Sequence, residues 1–130
     1  MISVLDTHAI VWFLQNDARL GKAASFLLED PKARFAVPTL VLCELSHLSR
    51  KAKLNHSFPK ILDFLKADRR FEILSLDEAV IPFLSHQLDI HDDVILATAL
   101  ALEKARGVAV SLVTCDKEIK ALEKVATIWE

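Results

Sequence analysis

Glycine is nearly absent from this chain, with 2 residues in 130, and proline contributes only 4. Turn-rich all-β architectures draw heavily on both, so their scarcity argues against a sandwich or barrel. Long apolar runs are missing too. Ala9–Leu14 and Val94–Leu102 fall far short of the roughly 20 apolar residues that span a bilayer, so no membrane association is expected. The N-terminus reads Met1-Ile2-Ser3-Val4-Leu5-Asp6, with no basic region ahead of an apolar stretch. No secretory signal is expected, and a cytoplasmic location is the default. The 2 cysteines, Cys43 and Cys115, form no C-x-x-C, and the 5 histidines never fall into H-x-H or H-E-x-x-H spacing. Both absences argue against a structural zinc site.

What remains is a composition able to build a core: 52% hydrophobic residues, 26% charged and a mean hydropathy of +0.31. That balance excludes a disordered tail, and the length suits a single domain over residues 1–130. The formal net charge of −2 predicts no polyanion binding by itself. Its distribution says more. From Arg50 to Arg70, seven Lys/Arg face only Asp63 and Asp68, a local excess of +5 that leaves −7 on the remainder. Such a segment either is a solvated surface or steers a phosphate backbone to one face, with Arg50, Lys51 and Lys53 as candidate RNA contacts.

Short β-branched runs alternate with longer helical ones. Strands are expected at Ile2–Leu5, Phe35–Val37, Glu72–Leu74, Val108–Val113 and Ala126–Trp129. Helices are expected at Thr7–Leu14, Asp17–Leu28, Thr39–Lys51, Phe58–Ala67, Asp77–Gln87, His91–Arg106 and Lys117–Leu122. Gly107 follows the last residue of the long helix, where a left-handed C-terminal residue belongs. This alternation predicts an α/β fold, a three-layer α/β/α domain around a central parallel sheet, with its site at the carboxyl ends of the strands.

Asp6 and Asp116 fall at two such ends. Each, taken singly, reads equally well as the N-cap of the helix that follows. Glu44 shares a helical stripe with Leu40, Val41 and Leu48, so it points where the apolar residues point. A lone buried carboxylate is costly unless it is paired or holds a metal. Asp92 and Asp93 open a helix whose next nine residues, Val94 to Leu102, carry no charge, so that helix start lies against the domain. Carboxylates from these four places can converge on one pocket. They would repel one another unless a cation sat among them, and all-oxygen donors favour Mg²⁺ or Mn²⁺. Such clusters are the usual apparatus for phosphodiester hydrolysis. Thr7 and Thr114, beside the strand-end aspartates, are placed to support a carboxylate or a water.

Leu5-Asp6-Thr7-His8-Ala9, Leu42-Cys43-Glu44-Leu45, the stretch His91-Asp92-Asp93-Val94-Ile95-Leu96-Ala97-Thr98-Ala99-Leu100 and Val113-Thr114-Cys115-Asp116 together resemble the PIN domain. More narrowly, they resemble its VapC-type toxin ribonucleases. The resemblance spans essentially the whole chain. It implies a metal-dependent endoribonuclease with Asp6, Glu44, Asp92 and Asp116 as catalytic and Mg²⁺- or Mn²⁺-binding quartet. It also implies RNA as substrate, a cognate antitoxin as protein partner and a homodimer. Many relatives with the same opening carry D-P-F-D-R before the long helix. Here Asp93 stands at the Arg position, either as a fifth metal-binding carboxylate or in place of an Arg that touches RNA.

Two other α/β classes fit less well. A phosphate-accepting receiver domain needs its acidic pair first in the chain, whereas Asp92-Asp93 come late. A haloacid-dehalogenase-like phosphatase needs D-x-D at the first strand, and His8 occupies the third position. An RNA-processing nuclease without an antitoxin and a non-catalytic binding relative remain as alternatives. Six consecutive apolar residues, Ala9–Leu14, cannot all be buried against one sheet, so some of Trp12, Phe13 or nearby residues are expected to face another chain.

Overall fold

A computed structural model describes residues 1–130. Strand β1 (Ile2–Leu5) leads into α1 (Thr7–Leu14) and α2 (Lys22–Glu29), and β2 (Phe35–Pro38) into α3 (Thr39–Arg50) and α4 (Phe58–Ala67). Strand β3 (Phe71–Leu74) is followed by a 3₁₀ turn (Glu78–Phe83) and the long α5 (Ile90–Arg106). Strand β4 (Val110–Val113), α6 (Lys117–Leu122) and β5 (Ala126–Ile128) close the chain. All five strands pair in parallel in the order β3-β2-β1-β4-β5, with helices flanking the sheet, as the alternating pattern predicts.

Starting from β1, the chain adds strands in one direction as far as β3, then returns to place β4 on the other side of β1. The strand order therefore reverses between β1 and β4, the place where open α/β sheets form their crevice. The register there aligns Ile2 with Val110 and Leu5 with Val113. A buried Ser3–Ser111 hydroxyl pair at 2.8 Å joins the same two strands. Strands covered on both faces read as continuous apolar runs, and β2 and β4 are buried along their whole length. Leu5, Val37, Leu96 and Leu112 are fully enclosed between sheet and helices.

Three local expectations are corrected. The second helix begins at Lys22, not Asp17, because the Asp17 carboxylate binds the Arg19 amide and guanidinium in a tight turn. The stretch from Asp77 does not continue as a helix to Gln87. It forms only the 3₁₀ turn, which contains Pro82, and the Ser85 and His86 amides beyond it donate to Asp93. The fourth strand starts at Val110, two residues later than expected, after Gly107 closes α5 in the left-handed conformation (φ 61°). Trp12 is half-buried: it lies edge-on to Trp129 at 5.6 Å, 5.1 Å from His8 and under the Arg19 guanidinium at 4.8 Å. The large exposed apolar side chain of this region is Phe26 on α2, 80% exposed.

Gly21 shows why a scarce glycine sits where it does. A Cβ built there would lie 1.9 Å from the Trp129 carbonyl oxygen, which accepts the Ala24 amide and ties α2 to the last strand. Gly21→Ala should therefore lower unfolding free energy by about 1–3 kcal/mol, the scale of overpacking against backbone that cannot yield. Urea denaturation of the two proteins measures this, and a change below about 0.5 kcal/mol would show that Trp129 moves aside freely.

Candidate active site

The β1–β4 pairing brings two strand-end aspartates to one edge. The Asp6 amide donates to the Val113 carbonyl, which extends the ladder by one step beyond β1. The Asp6 Oδ1 then accepts the Ala9 amide at 2.9 Å and caps α1. Asp116 caps α6 with its own Oδ1, which takes the Glu118 and Ile119 amides at 2.8 and 2.9 Å. Both residues are thus the helix caps that the sequence allowed as the simpler reading. In each, one oxygen is anchored by backbone and the other is free of any backbone amide. Thr114, buried between them, accepts the Asp116 amide at 3.1 Å and hydrogen-bonds the Asp6 carboxylate.

Asp92 stands in the first turn of α5, whose N-cap is Asp89. Glu44 lies on α3, which packs against both α1 and α5. Burial raises the Asp92 pKa to about 6, helped by the charges of Asp116, Asp89 and Glu44. Burial also raises Asp6, with Asp116 adding to the effect and the Thr114 bond, the Ala9 amide and His8 opposing it. Asp116 therefore acts on both other aspartates, and Glu44 acts on Asp92. Asp6, Asp92 and Asp116 thus lie within electrostatic reach at the switch point, with Glu44 close enough to act on Asp92. Burial, with the charges of Asp6 and Asp116, likewise pushes up the Cys115 thiol.

Asp93, the adjacent candidate, does something else. It is 3% exposed and accepts three hydrogen bonds, from the Ser85 amide (2.9 Å), the Ser85 hydroxyl (2.6 Å) and the His86 amide (2.9 Å). Those bonds hold its pKa below the usual carboxylate value despite burial. Both oxygens are engaged, so Asp93 neither adds a fifth ligand to the basin nor faces RNA. It fastens the loop before α5.

Whether the basin suits a divalent cation is decided by its donors. All four are carboxylates, the charges of Asp116 and Glu44 add to the burial that raises Asp92, and the buried Glu44 Oε1 has no hydrogen-bond partner. Hard oxygen donors with excess negative charge fit Mg²⁺ or Mn²⁺. No three His, Cys, Asp or Glu side chains stand close enough to cage an ion as they are arranged, so binding would require carboxylate rotamers to turn inward. Thr7 is buried with its hydroxyl enclosed and unpartnered, and the residue borders a cavity beside Glu44.

Of the basic candidates, Arg50, Lys51 and Lys53 are exposed where α3 ends, and Lys51 lines that same cavity. Arg70 is structural. It pairs with Asp68 at 2.9 Å, donates to the Leu28 and Asp30 carbonyls, and covers the stacked Phe35 and Phe71 rings. The basic run is therefore not one continuous track. Three histidines the sequence pattern passed over, His8, His47 and His91, line the cavity beside Glu44.

A parallel α/β/α sheet with acidic side chains near its switch point places a candidate site where open α/β sheets bind their ligands. The PIN domain family matches residues 3–125, and the chain belongs to that family, whose nucleases generally depend on divalent metal. No curated protein matches it in sequence. Among solved structures, it resembles VapBC2 from Rickettsia felis bound to a promoter DNA fragment, with a TM-score of 0.74 and 20% identity over 100% of both chains. It also resembles VapBC-1 from nontypeable Haemophilus influenzae, with a TM-score of 0.67 and 17% identity over 98% of this chain and 96% of the other. A toxin-antitoxin complex from Klebsiella pneumoniae matches with a TM-score of 0.65 and 20% identity over 96% of each chain. At these identities the likeness is one of fold.

The raised Asp92 has a thermodynamic consequence. Its folded-state value of about 6 lies above the ordinary 3.8, so the folded chain holds a proton that the unfolded chain releases. In chelator, that contribution to stability is full below about pH 4 and is lost as pH rises through about 6. Asp92→Asn should flatten this stretch of a thermal-melting profile. An equally steep fall in the variant would place the titrating group elsewhere.

Proposed function

We propose that this chain is a metal-dependent endoribonuclease acting as the toxin of a toxin–antitoxin pair in the cytoplasm. We further propose that residues 1–130 work as one PIN unit and pair as a homodimer. The observation that supports the reading is the placement of Asp6 and Asp116 at the β1–β4 switch point, within electrostatic reach of Asp92, on which Glu44 also acts.

Asp6, Asp92 and Asp116 would hold Mg²⁺ or Mn²⁺, with Glu44 contributing its unpartnered Oε1. When bound, the ion supplies Lewis-acid stabilisation of phosphoryl charge and acidifies water. The protein's own residues arrange the rest. The Ala9 amide and the Thr114 hydroxyl fix the Asp6 carboxylate, and the Glu118 and Ile119 amides fix that of Asp116. The N-termini of α1, α5 and α6 direct partial positive charge into the basin. This offsets part of the carboxylate repulsion and favours an incoming phosphate.

Exposed Arg50, Lys51 and Lys53 support a phosphate contact at the end of α3. A partner protein is supported by the exposed Phe26, which shares a groove with Trp12 and Phe13, and by the toxin–antitoxin complexes that share the fold. We assign that groove to the cognate antitoxin.

Purified protein should cleave single-stranded or looped RNA with Mg²⁺ or Mn²⁺ and be silent in chelator. Asp6→Asn and Asp116→Asn should each abolish cleavage yet match or exceed the parent melting temperature without metal. Asn caps helices about as well as Asp and removes one of the repelling charges. Full activity in either variant would sink the site assignment.

The basic residues make a separate prediction. Each neutralised single-strand phosphate contributes about −0.7 to the slope of log affinity against log salt. Replacing Arg50, Lys51 and Lys53 together with Ala should flatten that slope by about 2. An unchanged slope would make the segment solvated surface only.

A further inference from the structure

The cavity beside Glu44, about 370 Å³ in volume, has a composition that the metal-binding quartet does not account for. It opens where α1, α3 and the start of α5 meet, and its size is within the range of small-ligand sites. Glu44, His47 and Lys51 follow one another at three- and four-residue intervals, so α3 presents them along one stripe. Thr7 and His8 come from the first turn of α1, and His91 from that of α5. Three imidazoles from three helices therefore border one space.

Two further features mark it as a place where a ligand binds. Thr7 is only 5% exposed and its hydroxyl has no partner, and the Glu44 Oε1 in the same wall also has none. Buried polar atoms are rarely left unpaired without a functional reason. The His8 ring is also steadied from behind, 5.1 Å from the half-buried Trp12 ring at 43°. Together with the exposed His47 and His91 rings on the same cavity, it offers flat surfaces that suit a flat ligand. Single-stranded RNA offers one, because its unstacked bases pack on aromatic and imidazole planes and hydrogen-bond along their edges.

We propose that this cavity is a nucleobase subsite. The base next to the scissile phosphate stacks on the exposed His47 and His91, its edge reaches the enclosed Thr7 hydroxyl once that side chain turns toward the cavity, and Lys51 neutralises the adjoining phosphate. The proposal rests on the nuclease reading and extends it from a metal basin to a substrate-selecting pocket. It places RNA selectivity in the histidines of α3 and α5, which lie outside the carboxylate set.

The test uses Asp6→Asn protein in chelator and a fluorescently labelled single-stranded RNA octamer of mixed sequence, with affinity read by anisotropy. His47→Ala and His91→Ala should each weaken binding roughly five- to a hundredfold, the range of one lost base stack. His47→Phe, which keeps a ring at that position, should stay within about threefold of the parent. An abasic strand of the same length should bind the parent and His47→Ala equally. His47 and His91 are exposed, so melting curves should coincide with that of the parent.

Octamer binding by His47→Ala equal to the parent, a loss in His47→Phe as large as in His47→Ala, or an equal loss on the abasic strand would each overturn the subsite. None of these results touches the nuclease reading, which metal-dependent cleavage by the unaltered protein tests separately. If that protein neither binds nor cleaves RNA, the nuclease reading fails and the subsite falls with it.

Discussion

The parallel pairing of β1 with β4 is the constraint from which the site follows. Their register, aligned from Ile2–Val110 to Leu5–Val113 and reinforced by the buried Ser3–Ser111 bond, ends both strands at the same level. The next residues must leave the sheet there, and each strand hands its chain to a helix through an aspartate cap. A one-residue slip would exchange the inward and outward faces of β1 and part Asp6 from Asp116. The paired serines make such a slip costly, because each buried hydroxyl would lose its partner.

Two adjacent aspartates in α5 show how strongly environment determines role. Asp92 and Asp93 share the same first helical turn, yet the first is raised to about 6 by burial and like charges, while the second is held low by three hydrogen bonds. Backbone and hydroxyl donors favour the charged carboxylate, whereas neighbouring carboxylates disfavour it. The two are mechanically linked. The loop that Asp93 fastens leads through the Asp89 cap into α5, so the bond to Ser85 also fixes where Asp92 stands.

The sequence reads well where periodicity and local chemistry agree, and poorly where a distant group decides. Alternation of strand and helix predicts the parallel sheet, and the apolar α5 with Gly107 at its end sits within one residue of expectation. The helix expected from Asp17 fails because Arg19 satisfies that carboxylate locally, and the one expected to Gln87 fails because Asp93 claims two amides of the loop. Neither competitor is visible in a helical pattern. Arg70 reads as one more surface cation until Phe35, Phe71 and two carbonyls from the end of α2 surround it. The histidine cavity left a faint trace: His8 follows Asp6 by two residues, His47 follows Glu44 by three and His91 precedes Asp92. Only the meeting of three helices makes those coincidences one surface.

A basin of carboxylates in a chain of net charge −2 ought to repel a polyanion, and the distribution of cations shows how approach remains possible. Lys51 stands in the wall of the cavity on the α3 side, while Lys117 and Lys120 line a larger one on the β4–β5 side, next to Asp116 and Thr114. The acids lie between these two basic margins. A strand crossing from one margin to the other would be neutralised at its flanking phosphates and would meet the acidic centre with only the phosphate in between. Repulsion is then confined to that single phosphate, where a divalent cation reverses its sign. With this arrangement, the negative charge that opposes nonspecific adhesion over the rest of the surface is flanked at one point by cations that would guide a phosphate in.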